Sequence, residues 1–499
     1  MERSTLKQRA VSGMAWAALQ RYSTIFIHFV SGIILARLLT PYDYGCIGML
    51  TIFMMLAQTF IDGGFGSALI QKKQPTQEDY SSIFWWNIGM ALVMYAVLFA
   101  SAPAIARFYK IPLLSKVLRV QGIVLFIYAF NIIQQNQLKK NLNFKLLAIV
   151  TIATSVIALS VTIWIAYRGF GVWALVVQNL LMTAIPAFVF WLIVKWRPLF
   201  AFSLQSFRNL FGFGFYMFMT QLINEFSRQI QGLIIGKVYN PATLGLYSKA
   251  NDTERVASTS ISQIITQVTY PLYAEVQDDK EKLTNIINRI TSTLAYITFP
   301  ILFLLILCAK PLFVILYSER WLQSVPYFQA LCIAGFTICL QSVNLQVIAA
   351  IGKSKLMFKW AIIKRVTGFI LDVGGLLIWG MKGLLCGVIL HNIVDYVVNM
   401  GLVSKYIKYN WRTQLKHLFP IMSIAFAAFV ISYVIVRPFA LSLYIGGVVK
   451  ITIYLTIYMG WSFIAKPESY MYCREAAMIL IRRLQVFFIN RRRRNERSA

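Results

Sequence analysis

Five polar residues recur at helical steps on one stretch of this chain: Gln221, Asn224, Glu225, Arg228 and Gln231. Residues three and four apart share a helix face, so these five form one polar stripe. The surrounding sequence is apolar. Ionisable groups in a bilayer are costly and face a bundle interior or a water-filled cavity. A second stripe holds Tyr247, Asn251, Glu254, Arg255, Ser258, Ser262 and Thr266, with Lys249 and Asp252 nearby. Two hundred positions before the first stripe stand Arg21, Thr24, Ile25, His28 and Ser31, and the segment 44–70 carries Thr51, Gln58 and Asp62. The chemistry this set could do is binding. Arg228, Arg255, Lys249, Arg21 and His28 are suited to an anionic group, and the planar fork of arginine matches phosphate with two parallel hydrogen bonds. Gln221, Asn224, Glu225, Asn251, Asp252, Glu254 and Asp62 could hydrogen-bond a polar cargo or couple its movement to an ion. A structural reading stands beside this one. Glu225 with Arg228, and Asp252 with Arg255, are spaced for ion pairs within one helix, and His28 could be a buried neutral imidazole. Asp372 and Asp395 read as lone carboxyls in their segments, either for ion coupling or as satisfied buried groups.

The elements that position these residues follow from composition. The 499 residues are 58% hydrophobic and 13% charged, against about 25% charged in soluble domains. That describes an all-α polytopic membrane protein. A spanning helix needs roughly 20 apolar residues, and 14 segments qualify, from about 11–37 to about 442–464. The most polar of them, 208–236 and 243–272, hold the two stripes. The net charge of +30 does not indicate nucleic acid, because the basic residues sit in short runs between apolar segments. Lys and Arg favour alternate loops by about three to one, which places both termini in the cytoplasm by the positive-inside rule. The third loop, with Arg107, Lys110, Lys116 and Arg119, is the exception.

An internal repeat organises the spans. LARLLTPYDYG ends at Gly45 and IGKVYNPATLG ends at Gly245. At this offset of 200, Pro41 matches Pro241, Phe26 matches Phe226, Gly32 matches Gly232, Ile34 matches Ile234, and Arg37 faces Lys237. Six spans separate the copies, and an even number preserves orientation, so the halves are parallel repeats. The expected organisation is a six-helix lobe at 1–200, a second at 201–410, two further helices at 411–466 and a cytoplasmic tail at 467–499. The lobes would enclose a central cavity lined by helices 1, 2, 7 and 8. The tail, Tyr470 to Asn490 followed by Arg491 to Arg494, reads as an interfacial helix meeting anionic headgroups.

Several chemistries are excluded. No GxxxxGK[ST] is present, and AAIGKSKL around Gly352 lacks the first glycine, so ATP hydrolysis by this chain is not expected. Three histidines form no metal-spaced cluster, and no CxxC occurs among six cysteines, so no zinc site or disulfide framework is expected. No signal peptide is read at the N-terminus.

LARLLTPYDYGCIGML and FIDGGFGSALIQKKQPTQEDYSSIFWWN resemble the opening of Wzx-type polysaccharide biosynthesis flippases, members of the multidrug/oligosaccharidyl-lipid/polysaccharide exporter superfamily; KVYNPATLGLYSKA also resembles the family. The resemblance implies a flippase, not an enzyme, for undecaprenyl-diphosphate-linked glycan repeat units in the bacterial inner membrane. It implies alternating access, a monomer, contact with membrane lipids, and a polysaccharide polymerase or glycosyltransferases as partners. No cofactor is implied, and a coupling ion would be Na+ or H+. By similarity to lipid II flippases, the last two spans would guide the polyprenyl chain. The cavity arginines of those flippases do not map one for one onto this chain. The alternative is an ion-coupled drug exporter of the same superfamily, which would want an acidic pocket and about 12 spans. A membrane glycosyltransferase would want paired carboxylates in a large outer loop, and the outer loops here are short.

Overall fold

The computed structural model describes residues 2–276, 279–351, 354–407, 409–439, 441–475 and 478. The basic tail and the side chains of Ser262 and Thr266 lie outside the described residues. Among the described residues every regular element is helical. Eleven helices among the described residues are long and apolar enough to cross a membrane. One of these is a hairpin, and two further long helices are too polar for that measure, so the span count of 14 rests on how those two are read.

The chain divides into two compact units. The first comprises residues 1–248 and 316–321. It holds α1 (Glu2–Leu38), α2 (Pro41–Asp62), α3 (Phe65–Gln71), α4 (Gln77–Tyr109), α5 (Leu113–Gln121), α6 (Ile123–Lys140), α7 (Phe144–Tyr167), α8 (Val172–Ile193), α9 (Leu204–Val238) and the start of α10 (Pro241–Glu275). α9 packs on α2, α3 and α4, so the compact first unit reaches beyond residue 200.

Local chemistry sets the helix ends. Thr40 and Asp43 form a reciprocal capping box at the start of α2, with Pro41 in its first turn. The box satisfies two orphan N–H groups, and proline's fixed φ suits a helix start. Thr76 and Asp79 repeat the device on α4. Asp79 is fully buried, and Lys72 Nζ reaches its Oδ2 at 2.5 Å. Lys140 Nζ donates to the carbonyls of Leu69 (3.1 Å), Ile70 (3.2 Å) and Lys72, which closes the C-terminal end of α3.

The non-helical linker 194–203 is tied to α4. Its Leu199 and Ser203 amides donate to Ser81 Oγ (3.0 Å) and Ser82 Oγ (2.8 Å). Trp85 Nε1 donates to the Leu199 carbonyl at 2.7 Å. Backbone outside a helix must find partners when water is scarce, and these side chains supply them. Phe65, Phe84 and Ile133 form the core beneath, packed by Trp86, Trp191, Trp196 and Phe207.

The second unit comprises residues 249–315 and 322–499. It holds the rest of α10, α11 (Lys280–Leu307), most of α12 (Ala309–Tyr317), α13 (Val325–Ala350), α14 (Ser354–Tyr406), α15 (Trp411–Val436) and α16 (Leu443–Ala465). Buried Leu283, Ile287, Leu294 and Phe299 make α11 its core element. α16 docks on α11 through Tyr458, which donates to the Tyr296 carbonyl (3.0 Å), and Tyr296, which donates to Ser462 Oγ (2.7 Å). α14 is a hairpin. Its helix breaks at Trp379 and at Gly380 (φ 63°, ψ −141°), a backbone conformation that glycine adopts without a Cβ penalty. The arms close tightly: a Cβ on Gly375 would lie 2.2 Å from the Gly383 carbonyl oxygen, and one on Gly383 would lie 1.9 Å from that of Gly375. Small residues at such a crossing let two membrane helices approach.

Candidate functional site

The repeat is visible in the element boundaries. α1 ends at Leu38 and α2 starts at Pro41; α9 ends at Val238 and α10 starts at Pro241. In the first unit the two corners pack on each other. A Cβ on Gly45 would lie 1.7 Å from the Pro241 carbonyl oxygen, and one on Gly245 would lie 1.9 Å from that of Pro41. The two contacts exchange when 200 is added to one partner and subtracted from the other, as a local two-fold requires. The basic pair makes equivalent contacts, with donors 200 apart and acceptors 208 apart. Arg37 Nε donates to the Leu316 carbonyl at 3.1 Å, and Lys237 Nζ donates to the Phe108 carbonyl at 2.7 Å and lies 3.9 Å over its ring. Both acceptors sit one residue before a helix ends, on α12 and α4, and both helices stop at a residue with positive φ, Ser318 (84°) and Lys110 (59°). The sequence reading missed Phe108 and Leu316. Phe108-Tyr109-Lys110 against Leu316-Tyr317-Ser318 is the signal that finds them, at an offset of 208.

The first unit holds the α1 and α9 stripes. Arg21 and His28 are exposed, whereas Ser31 is buried and its Oγ accepts from Gln178 Nε2 at 3.3 Å. On α9, Asn224 and Arg228 are exposed, and Gln221 and Glu225 are half-buried. Arg228 pairs with Glu225 at 3.4 Å, the helical pair its spacing suggested. The second carboxylate oxygen of Glu225 is buried with no protein partner. Tyr247 Oη donates to Gln231 Oε1 at 3.0 Å, which ties the start of α10 to α9. Asp62 ends α2, beside the positive-φ pair Gly63 and Gly64. Its carboxylate faces the amides of Gly64 and Gly66, where α3 begins, and a Cβ on Gly66 would lie 2.8 Å from Asp62 Oδ1.

The second unit holds the remainder of the α10 set, divided between two faces. Asp252 and Arg255 are exposed and Asn251 is half-buried. Lys249, Thr253, Glu254 and Ser258 are buried. Glu254 points at α13, where its Oε1 lies 2.6 Å from the position of a Cβ on Gly335. Helical spacing brought Glu254 and Arg255 into one stripe, but neighbouring helices cover the first and leave the second open. Asp372 and Asp395 are not lone carboxyls. Asp372 Oδ1 lies 2.8 Å from His391 Nδ1 across the α14 hairpin, and Asp395 stands among Lys364, His391 and Arg365. Among the described residues no cluster of three metal-ligating side chains occurs.

Arginines exposed on polar helices within an apolar chain can bind an anion, and the amides and hydroxyls beside them can accept a sugar. Comparison with known proteins gives this arrangement a context. A family described as polysaccharide biosynthesis protein matches residues 34–326. The teichuronic acid biosynthesis protein TuaB of Bacillus subtilis is 26% identical over 76% of each chain. The lipopolysaccharide biosynthesis protein WzxC of Escherichia coli is 22% identical over 80% of this chain and 82% of its own. Among solved structures, the lipid II flippase MurJ in an inward closed conformation superposes with a TM-score of 0.76 at 15% identity, over 90% of this chain and 98% of that one. That last likeness establishes the fold.

Proposed function

The chain belongs to the polysaccharide biosynthesis protein family, and from that premise we propose that it flips undecaprenyl-diphosphate-linked glycan repeat units across the inner membrane by alternating access. The solved structure that it superposes on over 90% of its length is a lipid II flippase, and the chain is a multi-pass membrane protein. One observation carries the finer reading. α9 and α10 are the two long helices too polar for an apolar span, and each exposes an arginine, Arg228 and Arg255. A diphosphate cannot cross hydrocarbon unshielded, and arginine shields it with paired hydrogen bonds. Arg21, exposed on α1, adds positive charge in the first unit, and His28 on the same helix offers a hydrogen bond. Asn224, Gln221 and Asn251 offer hydrogen bonds to sugar hydroxyls, while the polyprenyl tail stays in lipid. Both termini lie in the cytoplasm, 14 helices span, and the lobes are 1–200 and 201–410 with two added helices. The cycle draws on a gradient of H+ or Na+.

The experiment is deletion of the gene, followed by mass spectrometry of undecaprenyl-linked glycans and assay of surface polymer. Accumulation of one lipid-linked repeat unit with loss of its polymer is the expected result. Unchanged lipid-linked glycans in a strain without a second flippase would return the drug-exporter reading. Arg228→Ala and Arg255→Ala at normal membrane levels are expected to reproduce the accumulation; normal export by both would remove the diphosphate role.

A further inference from the structure

The α14 hairpin carries a line of ionisable groups that the cargo stripes do not use. With a rise of 1.5 Å per residue, Lys364 and Asp395 lie about 15 Å along their arms from the Ser354 and Tyr406 ends, His391 about 22 Å and Asp372 about 27 Å. Asp372 and His391 side chains are 7% and 18% exposed. Gly368 lies beside the imidazole: a Cβ there would be 3.6 Å from the ring, an ordinary van der Waals contact, so the two arms pack closely at this level.

The hydrogen bonds fix the state of the imidazole. Asn392 Nδ2 donates to the Val388 carbonyl at 2.8 Å, which identifies it as the amide nitrogen. The same nitrogen lies 3.1 Å from His391 Nε2. A donor there makes Nε2 an acceptor, so the proton resides on Nδ1 and is donated to Asp372. In this arrangement Nε2, facing the Asn392 amide, is the ring's remaining basic atom. A proton taken at Nε2 ejects the Asn392 amide and leaves an imidazolium paired with the Asp372 carboxylate. The Asn392 carbonyl accepts from Gln341 Nε2 of α13 at 2.9 Å, so the rearrangement occurs where α13 holds the hairpin.

Further groups continue the line. Asp395 Oδ1 is buried without a protein partner. Lys364 Nζ donates to Asn399 Oδ1 at 2.7 Å, and Asn399, fully buried, leaves its Nδ2 without an acceptor. Arg365 completes the charged set around Asp395. Intramembrane chains of Asp, Glu and His mark proton pathways.

We propose that the α14 hairpin is the coupling site of this transporter and that its ligand is a proton, bound at His391 Nε2 opposite Asp372 and exchanged by way of Asp395. The proposal rests on the flippase reading and names the ion it draws on. One proton enters Nε2 from Asp395 or water, and the same proton leaves; no other bond changes.

Two measurements on the full chain in liposomes test it. The chain has three histidines, and the 15N resonance lost in His391→Gln is that of His391. It is expected to show the Nδ1–H neutral form at high pH, to gain the second ring N–H as pH falls, and to respond differently in Asp372→Asn. A ring that stays neutral throughout overturns the proposal. In the second measurement, undecaprenyl diphosphate transfer between leaflets is followed under a pH gradient, a sodium gradient or none. Several-fold acceleration by the pH gradient, lost in His391→Gln and Asp372→Asn, is expected. Acceleration by sodium alone, or its survival in both variants, overturns the proposal while the flippase reading stands. Failure of the wild type to move the lipid under any condition defeats the flippase reading, and the histidine titration still decides the proton site.

Discussion

Gly45 and Gly245 are 200 residues apart in sequence, and each lies against the backbone of the proline that opens the other's helix. A Cβ on either would fall within 2 Å of a proline carbonyl oxygen. The obstacle is main chain, so no rotamer change relieves it. Overpacking of this kind costs about 1–3 kcal/mol. Gly45→Ala and Gly245→Ala are therefore expected to destabilise the protein to a similar degree, because the contacts are related by the local two-fold. The onset of thermal aggregation of the purified protein checks this. Cys46 is fully buried beside Gly45, and in a background without the other cysteines its maleimide labelling should rise in both variants. Labelling unchanged from wild type in both would show that the crossing is not a close contact in the membrane.

The same two-fold governs a second pair. Arg37 and Lys237 each donate to a carbonyl in the last turn of a helix from the opposite half, where orphan carbonyls need partners and positive charge is favoured. Both side chains are exposed, so each removal should cost no more than about 1 kcal/mol. Arg37→Met and Lys237→Met are expected to leave membrane levels normal and to raise Cys46 labelling modestly. The double variant should raise it more than either alone. Equal labelling in all three would mean that these donors only solvate the helix ends.

How much of this was legible in the sequence depends on the kind of contact. Pro41, Gly45 and their partners share one offset, and the hydrophobic runs between them are long, so repeat and helices can be read directly. Phe108 and Leu316 cannot be found that way, because eight extra residues shift the offset and their role is played by backbone carbonyls. Glu254 and Arg255 are adjacent, and spacing alone does not say which side of α10 another helix will cover. Asp372 and His391 meet only because Trp379 and Gly380 reverse the chain. Until that turn is placed, each reads as an isolated charge.

Asp79 offers a test of the first unit's architecture. Its carboxylate accepts from Lys72 Nζ and from the Thr76 amide at 2.7 Å, while being fully buried. Asp79→Ala leaves both donors unpaired. The Lys72 side chain is 34% exposed, so water recovers part of the loss, and the expected cost is about 2–3 kcal/mol. Detergent-extracted Asp79→Ala should lose its monodisperse peak at a lower temperature than wild type, and Lys72→Met should fall between them. A wild-type profile for Asp79→Ala would show that the capping box does not hold the loop.

On the proposed flippase reading, Glu225 sets how strongly Arg228 grips the diphosphate. The pair lies at 3.4 Å, with the Glu225 side chain 22% and the Arg228 side chain 56% exposed, so the carboxylate competes with any phosphate for the guanidinium. Replacing Glu225 by Gln removes the competing charge and keeps the shape. Undecaprenyl diphosphate should then bind several-fold more tightly, and its release should slow. A tighter ground state without a matching gain in the transition state does not speed a cycle, so polymer export in the cell should fall even as affinity rises. Binding measured with the purified variant, set beside surface polymer in a complemented deletion strain, separates the two effects. Weaker binding together with weaker export would assign Glu225 to holding α9 in shape and would leave Arg228 without a tuned partner.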